Sequence, residues 1–242
     1  VAFQALYARA NGWSPSGSPL PVGERHVLDR WLLSATADLV NRVTAALEDF
    51  DTLGAGSLLS AFTDDLSNWY VRRSRRRFWD GDASALQTLH EVLRTLTQLM
   101  SPLVPFITER VWQDLVVPTE PDAPPSVHLS SWPRVDESVL DAGLMQTMAA
   151  ARRVVELGRA ARSEAKVKTR QPLRRALVPR VTLARLDEAL VAEVTSELNV
   201  GALESFASAG DLVDHSAKGN FRALGKRFGR DTPKVAAAIA AA

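Results

Sequence analysis

Between Glu24 and Leu115 the apolar residues recur at helical spacing in four successive runs, and each run is closed by residues that a helix does not carry through. Val27, Leu28, Trp31, Leu32, Leu39, Val40, Val43, Leu47 and Phe50 share one stripe, which Gly54 and Gly56 interrupt. Leu58, Leu59, Phe62, Leu66 and Trp69 begin a second stripe that runs towards Trp79. Asp80-Gly81-Asp82 supplies a stop and a new N-cap for a third helix carrying Leu86, Leu89, Val92, Leu93, Leu96 and Met100. Pro102 ends that helix, and Pro105 opens a fourth with Phe106, Ile107, Val111, Trp112 and Leu115 facing in. Helices of this kind on short links bury their stripes against one another, so residues 23–117 are expected to form a helical bundle.

Ahead of the bundle, Asn11–Pro21 is rich in Gly, Ser and Pro and reads as a loop, so residues 1–22 form a connecting segment. Behind it, Pro118–Ser126 is a linker by composition, followed by a short extended piece at Val127–Leu129 and by Trp132-Pro133, which makes 118–135 a joint. Residues 136–242 are expected to form a small α+β domain. Its elements are a long helix from about Glu137 to Ala165, a strand at Arg175–Val178, a helix around Leu183–Leu198, strands near Val200 and Leu212–His215, and an Ala-rich helix from Asp231. The fold class is therefore mainly α.

Composition excludes more than it assigns. With no cysteine there is no disulfide, no thiolate nucleophile and no cysteine-based zinc framework, which fits a reducing cytosol and a cytoplasmic protein. No apolar run is long enough to span a bilayer, and Val1–Ala10 has no cleavage pattern, so neither a membrane nor a signal peptide is expected. Without an initiating Met, the chain is expected to be a piece of a longer polypeptide. A net charge of +1 carries no global signal, so a nucleic-acid surface has to come from clustering of basic residues.

The sharpest cluster is NWYVRRSRRRFW at Asn68–Trp79, where Arg72, Arg73, Arg75, Arg76 and Arg77 are flanked by Trp69, Tyr70, Phe78 and Trp79. Arginines suit phosphates, and aromatic rings suit stacking on bases. At roughly 100° per residue, Arg73, Arg76 and Arg77 fall on the same face as Leu59, Phe62, Leu66 and Trp69. Burying all three unpaired would be very costly. Either the helix projects past the core towards a polyanion, or its arginines meet carboxylates from Asp64, Asp65 or a neighbouring helix. A second basic stretch, Arg152–Arg180, sets ten positive residues against Glu156 and Glu164, a local excess of +8. It fits an RNA backbone or a surface balanced by acidic helices elsewhere.

Other look-alikes fall short. GNFRALGKR at Gly219–Arg227 has five residues between its glycines where a phosphate loop needs four, and Arg227 stands where Ser or Thr would hold magnesium. His26, His90, His128 and His215 are scattered without ligand spacing. Neither a catalytic residue nor a metal ligand is assigned.

Several of these segments, in order, resemble one family. FQALYARANGWSP at the start is similar to the end of the catalytic region of isoleucyl-tRNA synthetases, members of class I of the aminoacyl-tRNA synthetases. ERHVLDRWLLS resembles the entry to their anticodon-binding bundle, and NWYVRRSRRRFW is the most specific match. LMSPLVPFITERVWQDL, SVHLSSWP, RRVVELGRAARSEAKVKTRQPLRRALV, ELNV and NFRALGKRFG continue it, the last three resembling the C-terminal extension of one branch. The resemblance implies a parent ligase that uses ATP and magnesium. Within it, this chain would be the monomeric module that binds the anticodon stem-loop of isoleucine tRNA beside its own N-terminal catalytic domain. The signature His-Ile-Gly-His and Lys-Met-Ser-Lys-Ser motifs are absent from it, so the chain alone is expected to hold no cofactor and to aminoacylate nothing. The other branch carries a cysteine-bound zinc, which this sequence cannot hold. Implied tRNA contacts are Arg72, Arg73, Arg75, Arg76 and Arg77 for phosphates or base edges, Trp69 and Trp79 for stacking, and Lys226 and Arg227 as weaker candidates. The alternatives are the same module of a valyl or leucyl enzyme, or a helical protein-docking module.

Overall fold

The computed structural model describes residues 2–15, 20–208, 210 and 220–241. It divides into two units, Val1–Arg153 and Val154–Ala242.

The first unit begins with α1 (Ala2–Ala10), followed by α2 (Val27–Glu48) and α3 (Thr52–Asp65). From α3 the chain passes through a π-helical stretch, Leu66–Val71, into α4 (Arg75–Trp79), and then into α5 (Ala83–Met100) and α6 (Pro105–Leu115). Side-chain caps set the starts. His26 Nδ1 accepts from the Leu28 amide, Asp51 Oδ1 from Gly54, and Asp82 Oδ1 from Ala85, each satisfying a donor that the first turn leaves without a partner. Proline at the first position of α6 has no amide to satisfy. The inward stripes are Leu28, Trp31, Leu32, Leu39 and Val43 on α2, Leu59 and Phe62 on α3, and Leu86, Leu89, Val92, Leu96 and Leu99 on α5, all buried.

Three expected core residues are on the surface. Phe50 is 90% exposed because α2 ends before it, and the turn holds it at φ 58°. On α6 the inward stripe is Thr108, Trp112, Leu115 and Val116, so Phe106, 91% exposed, and Ile107 point away from it.

The segment read as a linker folds back on α6. Val127 joins the buried cluster of Trp112, Leu115 and Val116, and Trp112 Nε1 donates to the Pro124 carbonyl at 2.8 Å. Val127–Leu129 is a 3-10 turn and not an extended piece, held because Glu109 Oε2 accepts from Ser126 Oγ and the Val127 amide. Glu137–Val139 is likewise a 3-10 turn, and the long helix, α7, covers Ala142–Glu164. The division between the units falls inside α7.

In the second unit β1 (Ala176–Pro179) pairs in parallel with β2 (Leu203–Phe206), Ala176 opposite Leu203, and Leu173 bridges Val200. The connection carries α8 (Arg180–Leu183) and α9 (Glu188–Leu198), so the helix expected around Leu183–Leu198 is two. α10 (Phe221–Phe228) and α11 (Thr232–Ala241) follow. The strand expected at Leu212–His215 lies outside the described residues. Val178, Leu186, Leu190, Val194 and Leu198 are buried. Gly158 lets α7 approach α9, since a Cβ there would sit 2.6 Å from Leu198 Cδ2.

Arg162 organises this unit. Its buried guanidinium donates to the carbonyls of Lys168, Gln171, Leu198 and Asn199, tying the loop after α7 to the C-terminal end of α9. Carbonyls at a helix C-terminus carry partial negative charge that favours a cation. Arg162→Met keeps the apolar stem and removes the donors, leaving buried carbonyls without partners. Stability is expected to fall by about 2–4 kcal/mol, read from the urea midpoint, and an unchanged midpoint would show that water or other donors replace the guanidinium.

Candidate nucleic-acid interface

The arginine-rich segment does not follow the phase that an uninterrupted α-helix would give it. A π turn accommodates an extra residue, which rotates everything after it by roughly one residue's 100°. Tyr70, Ser74 and Phe78 are fully buried, and the Ser74 and Phe78 amides donate to the carbonyls of Tyr70 and Ser74, so one helical face continues inwards through the bend. Arg72, Arg75, Arg76 and Trp79 are exposed on the other side, at the i, i+3, i+4 and i+7 spacing of a helical stripe. The basic face thus opposes the core and does not continue it. α1 packs over the inward ring: Phe3 meets Phe78 edge-on with ring centres 5.2 Å apart, and Asn11 Nδ2 donates to the Phe78 carbonyl.

Arg77 turns inwards to Asp29. Its two terminal nitrogens donate to the two oxygens of that fully buried carboxylate at 2.7 and 2.6 Å, and its Nε donates to Asp82 Oδ2 at 2.7 Å. Tyr70 OH donates to Asp29 Oδ1 at 2.8 Å and Ser84 Oγ to Oδ2 at 3.2 Å. Burial works against the charge on Arg77, but the hydrogen bonds and charge of Asp29, followed by Asp82, raise its pKa. Burial, and then the Asp29 charge, push the Tyr70 phenol well above its ordinary range. On Asp82, burial pushes the carboxyl up, but the bond from Arg77 and the Ala85 amide outweigh it and hold the group below the usual carboxylate range.

The other aromatic and basic residues sort by exposure. Trp69 is buried, with the Arg73 guanidinium 5.7 Å and the Arg152 guanidinium 5.6 Å from its ring centre. Arg152 also lies 5.9 Å from the Trp31 ring and pairs with Asp65. Trp79 is 73% exposed, with Tyr7 edge-on at 6.5 Å. Arg72 Nε donates to the Asn68 carbonyl, and partial burial followed by the Arg73 charge lowers its pKa. Arg76 lies 3.6 Å from Asp80 across an exposed pair, which is worth little in water.

In the second unit, Lys226 and Arg227 are exposed in the last turn of α10. The amides at the start of that helix are capped by the Asn220 side chain, through Arg222 and Ala223. The basic residues therefore sit at the opposite end from where a phosphate loop would place its ligand, and these residues do not fit an ATP site. Gly219 lies outside the described residues. No group of three or more His, Asp or Glu among the described residues is placed to hold a metal ion, and no helix among them is long and apolar enough to cross a membrane. Of the second basic stretch, Arg152, Arg159, Arg162 and Arg175 are engaged internally, by Asp65, Glu197, backbone carbonyls and Glu204.

The residue that sequence reasoning passed over is Asp29. The signal was present, since an acid between Leu28 and Trp31 on an inward stripe requires a buried partner. Arg25 was passed over as well: it is buried and donates to Thr88 Oγ1 and both oxygens of Glu91.

A family model for the anticodon-binding domain of tRNA ligase matches residues 29–177. Among curated relatives, the isoleucine--tRNA ligase of Cutibacterium acnes is 62% identical over 270 residues, a match that takes in all of this chain and 24% of that protein. The isoleucine--tRNA ligase of Streptomyces coelicolor is 60% identical over all of the chain and 23% of its own length, and that of Thermus thermophilus is 38% identical over 92% and 22%. The chain thus spans about a quarter of the length of the curated relatives it matches.

The Asp29 network yields two expectations. Asp29→Ala strands Arg77 and Tyr70 and is expected to cost about 3–5 kcal/mol, whereas Asp29→Asn retains acceptors and costs less, as urea unfolding would show. Because Asp82 titrates lower in the folded state than in the unfolded chain, its contribution is complete above about pH 4 and is lost as the pH falls through the folded value. Asp82→Asn should therefore flatten the acid limb of a melting-temperature profile, and an unaltered limb would count against the pairing with Arg77.

Proposed function

Because this chain belongs to the family of anticodon-binding domains of tRNA ligases, we propose that it grips the anticodon arm of isoleucine tRNA and holds the RNA for aminoacylation elsewhere in a longer ligase. The observation that carries this reading is the exposed stripe of Arg72, Arg75, Arg76 and Trp79 on a helix braced from behind by Arg77 and Asp29. A stem presents phosphates, which guanidinium groups neutralise, while the loop presents unstacked bases, which an aromatic ring can take. Trp79, being exposed, supplies that ring; Trp69, being covered, backs Arg73 and sets its direction. Arg77 acts through the fold and not on the RNA. Lys226 and Arg227 offer further phosphate contacts.

On this reading the chain carries no step of the chemistry. The ATP and magnesium that such a ligase uses belong to its catalytic domain, with which this module works as a monomer in the cytoplasm. The identity of the amino acid rests on the isoleucine ligases that match the whole chain.

The test is binding of the chain to isoleucine tRNA transcripts with native and altered anticodons, titrated across salt. Affinity is expected to fall with salt and with a changed anticodon. Arg75→Ala combined with Arg76→Ala should lower it about 10- to 100-fold and flatten the logarithmic salt slope by about 1 to 2. Trp79→Ala should weaken binding with little change in slope. An unchanged slope in the double variant would make the stripe a solvated face and sink the proposal.

A further inference from the structure

A second surface on the first unit has the opposite character. Gly56, Leu59, Ser60, Thr63 and Asp64 of α3, with Met100, Leu103 and Val104 of the α5–α6 turn, line an open groove. Its lining continues along α3 to Leu53, 82% exposed, and Thr52. Exposed apolar residues lie close to both walls in sequence: Phe50 before Leu53, and Phe106 and Ile107 after Val104. Phe50 is held at φ 58° by the turn that closes α2, in which the Asp51 amide donates to the Ala46 carbonyl. Apolar groups grouped around a concave strip mark an interaction site.

Charge decides what it takes. From Val43 to Val71 there is no Lys or Arg, while Glu48, Asp49, Asp51, Asp64 and Asp65 all fall in that stretch. The other wall, Met100, Leu103 and Val104, is apolar, and residues 99–109 contain no Lys or Arg. Asp65 is neutralised by Arg152, which leaves Asp64 in the groove and Glu48, Asp49 and Asp51 at the end that bears Phe50. An RNA backbone is repelled by such a rim. We infer that the groove between α3 and the α5–α6 turn docks a basic amphipathic helix of a separate protein, its apolar face on Leu53, Leu103 and Val104 and its Lys and Arg residues against the acidic rim.

Gly56 gives a clean way to block the site. Nothing lies within 4 Å of a Cβ built on it, so Gly56→Phe starts its side chain in open space on the groove lining and replaces a poor helix former. The probe is a fluorescein-labelled synthetic helix with Leu at i, i+3, i+4 and i+7 and Lys at its other positions, titrated by anisotropy into the full 242-residue chain. The control is the same peptide with Glu for Lys. The basic peptide is expected to bind about tenfold or more tightly than the acidic one. Gly56→Phe and Leu53→Asp should each weaken it about tenfold while melting temperature and tRNA affinity stay unchanged.

Equal binding of the two peptides, no binding of either, or indifference to both substitutions would overturn the proposal. Loss of tRNA affinity in Gly56→Phe and Leu53→Asp would make the occupant RNA. Loss of self-association by Gly56→Phe in sedimentation would make it a second copy. Either result also overturns the proposal. Because the reading of the arginine stripe is tested with different variants and a different ligand, the two stand or fall separately.

Discussion

Asp29 is a carboxylate with no exposed surface, placed by the helical period of α2 among Leu28, Trp31 and Leu32. Removing such a group from water costs several kcal/mol unless donors replace the solvent. Four do: two from Arg77, one from Tyr70 and one from Ser84. Those donors belong to three separate segments, the π turn, α4 and the first turn of α5, so satisfying one carboxylate fixes the path of the chain from 66 to 84. The exposed arginines inherit that geometry. Arg72, Arg75 and Arg76 point outwards because Tyr70, Ser74, Phe78 and the head of Arg77 point inwards.

The bundle was legible in the sequence because its helices obey one period and two of them carry their start signals in plain view, Asp82 and Pro105. The phase of the arginines was not, because the period was carried straight through Leu66–Val71. An extra residue in a π turn leaves no compositional mark, and after it each position has the environment of a neighbour. Phe78, expected beside the basic face, became core, and Arg76, expected on the core stripe, became exposed. Phe106 and Phe50 were misplaced for a related reason. Both lie at helix ends, where hydrophobicity still suggests burial but the stripe has not begun or has already stopped.

The excess of +8 counted along Arg152–Arg180 shows a second limit. Charge was summed along the chain, whereas partners arrive from far in sequence: Asp65 for Arg152, Glu197 for Arg159, Glu204 for Arg175. Arg162 needs no acid at all, because backbone carbonyls at the end of α9 supply the negative potential. A linear count cannot separate a guanidinium that organises a core from one that waits for a phosphate. Exposure can, and by it Arg72, Arg75 and Arg76 stand apart from Arg77 and Arg162.

A chain of net charge +1 can nevertheless present two electrostatically distinct faces. Leu53 and Arg72 are joined by the continuous helical run of α3 and the π turn, nineteen residues at about 1.5 Å each, or roughly 28 Å. That distance is more than three times the screening length of about 8 Å at physiological salt. The acids at the far end, Glu48, Asp49 and Asp51, and the arginines therefore hardly feel each other, whereas Asp64 and Asp65 lie within about 12 Å of Arg72 along the helix. The two distant groups do not cancel as the formal sum suggests, and each can attract a partner of the opposite sign. The π turn sits at the border, where the sequence changes from five acids without a base to five arginines in six residues. By rotating the helix there, it aims the basic segment independently of the face on which α3 carries its groove.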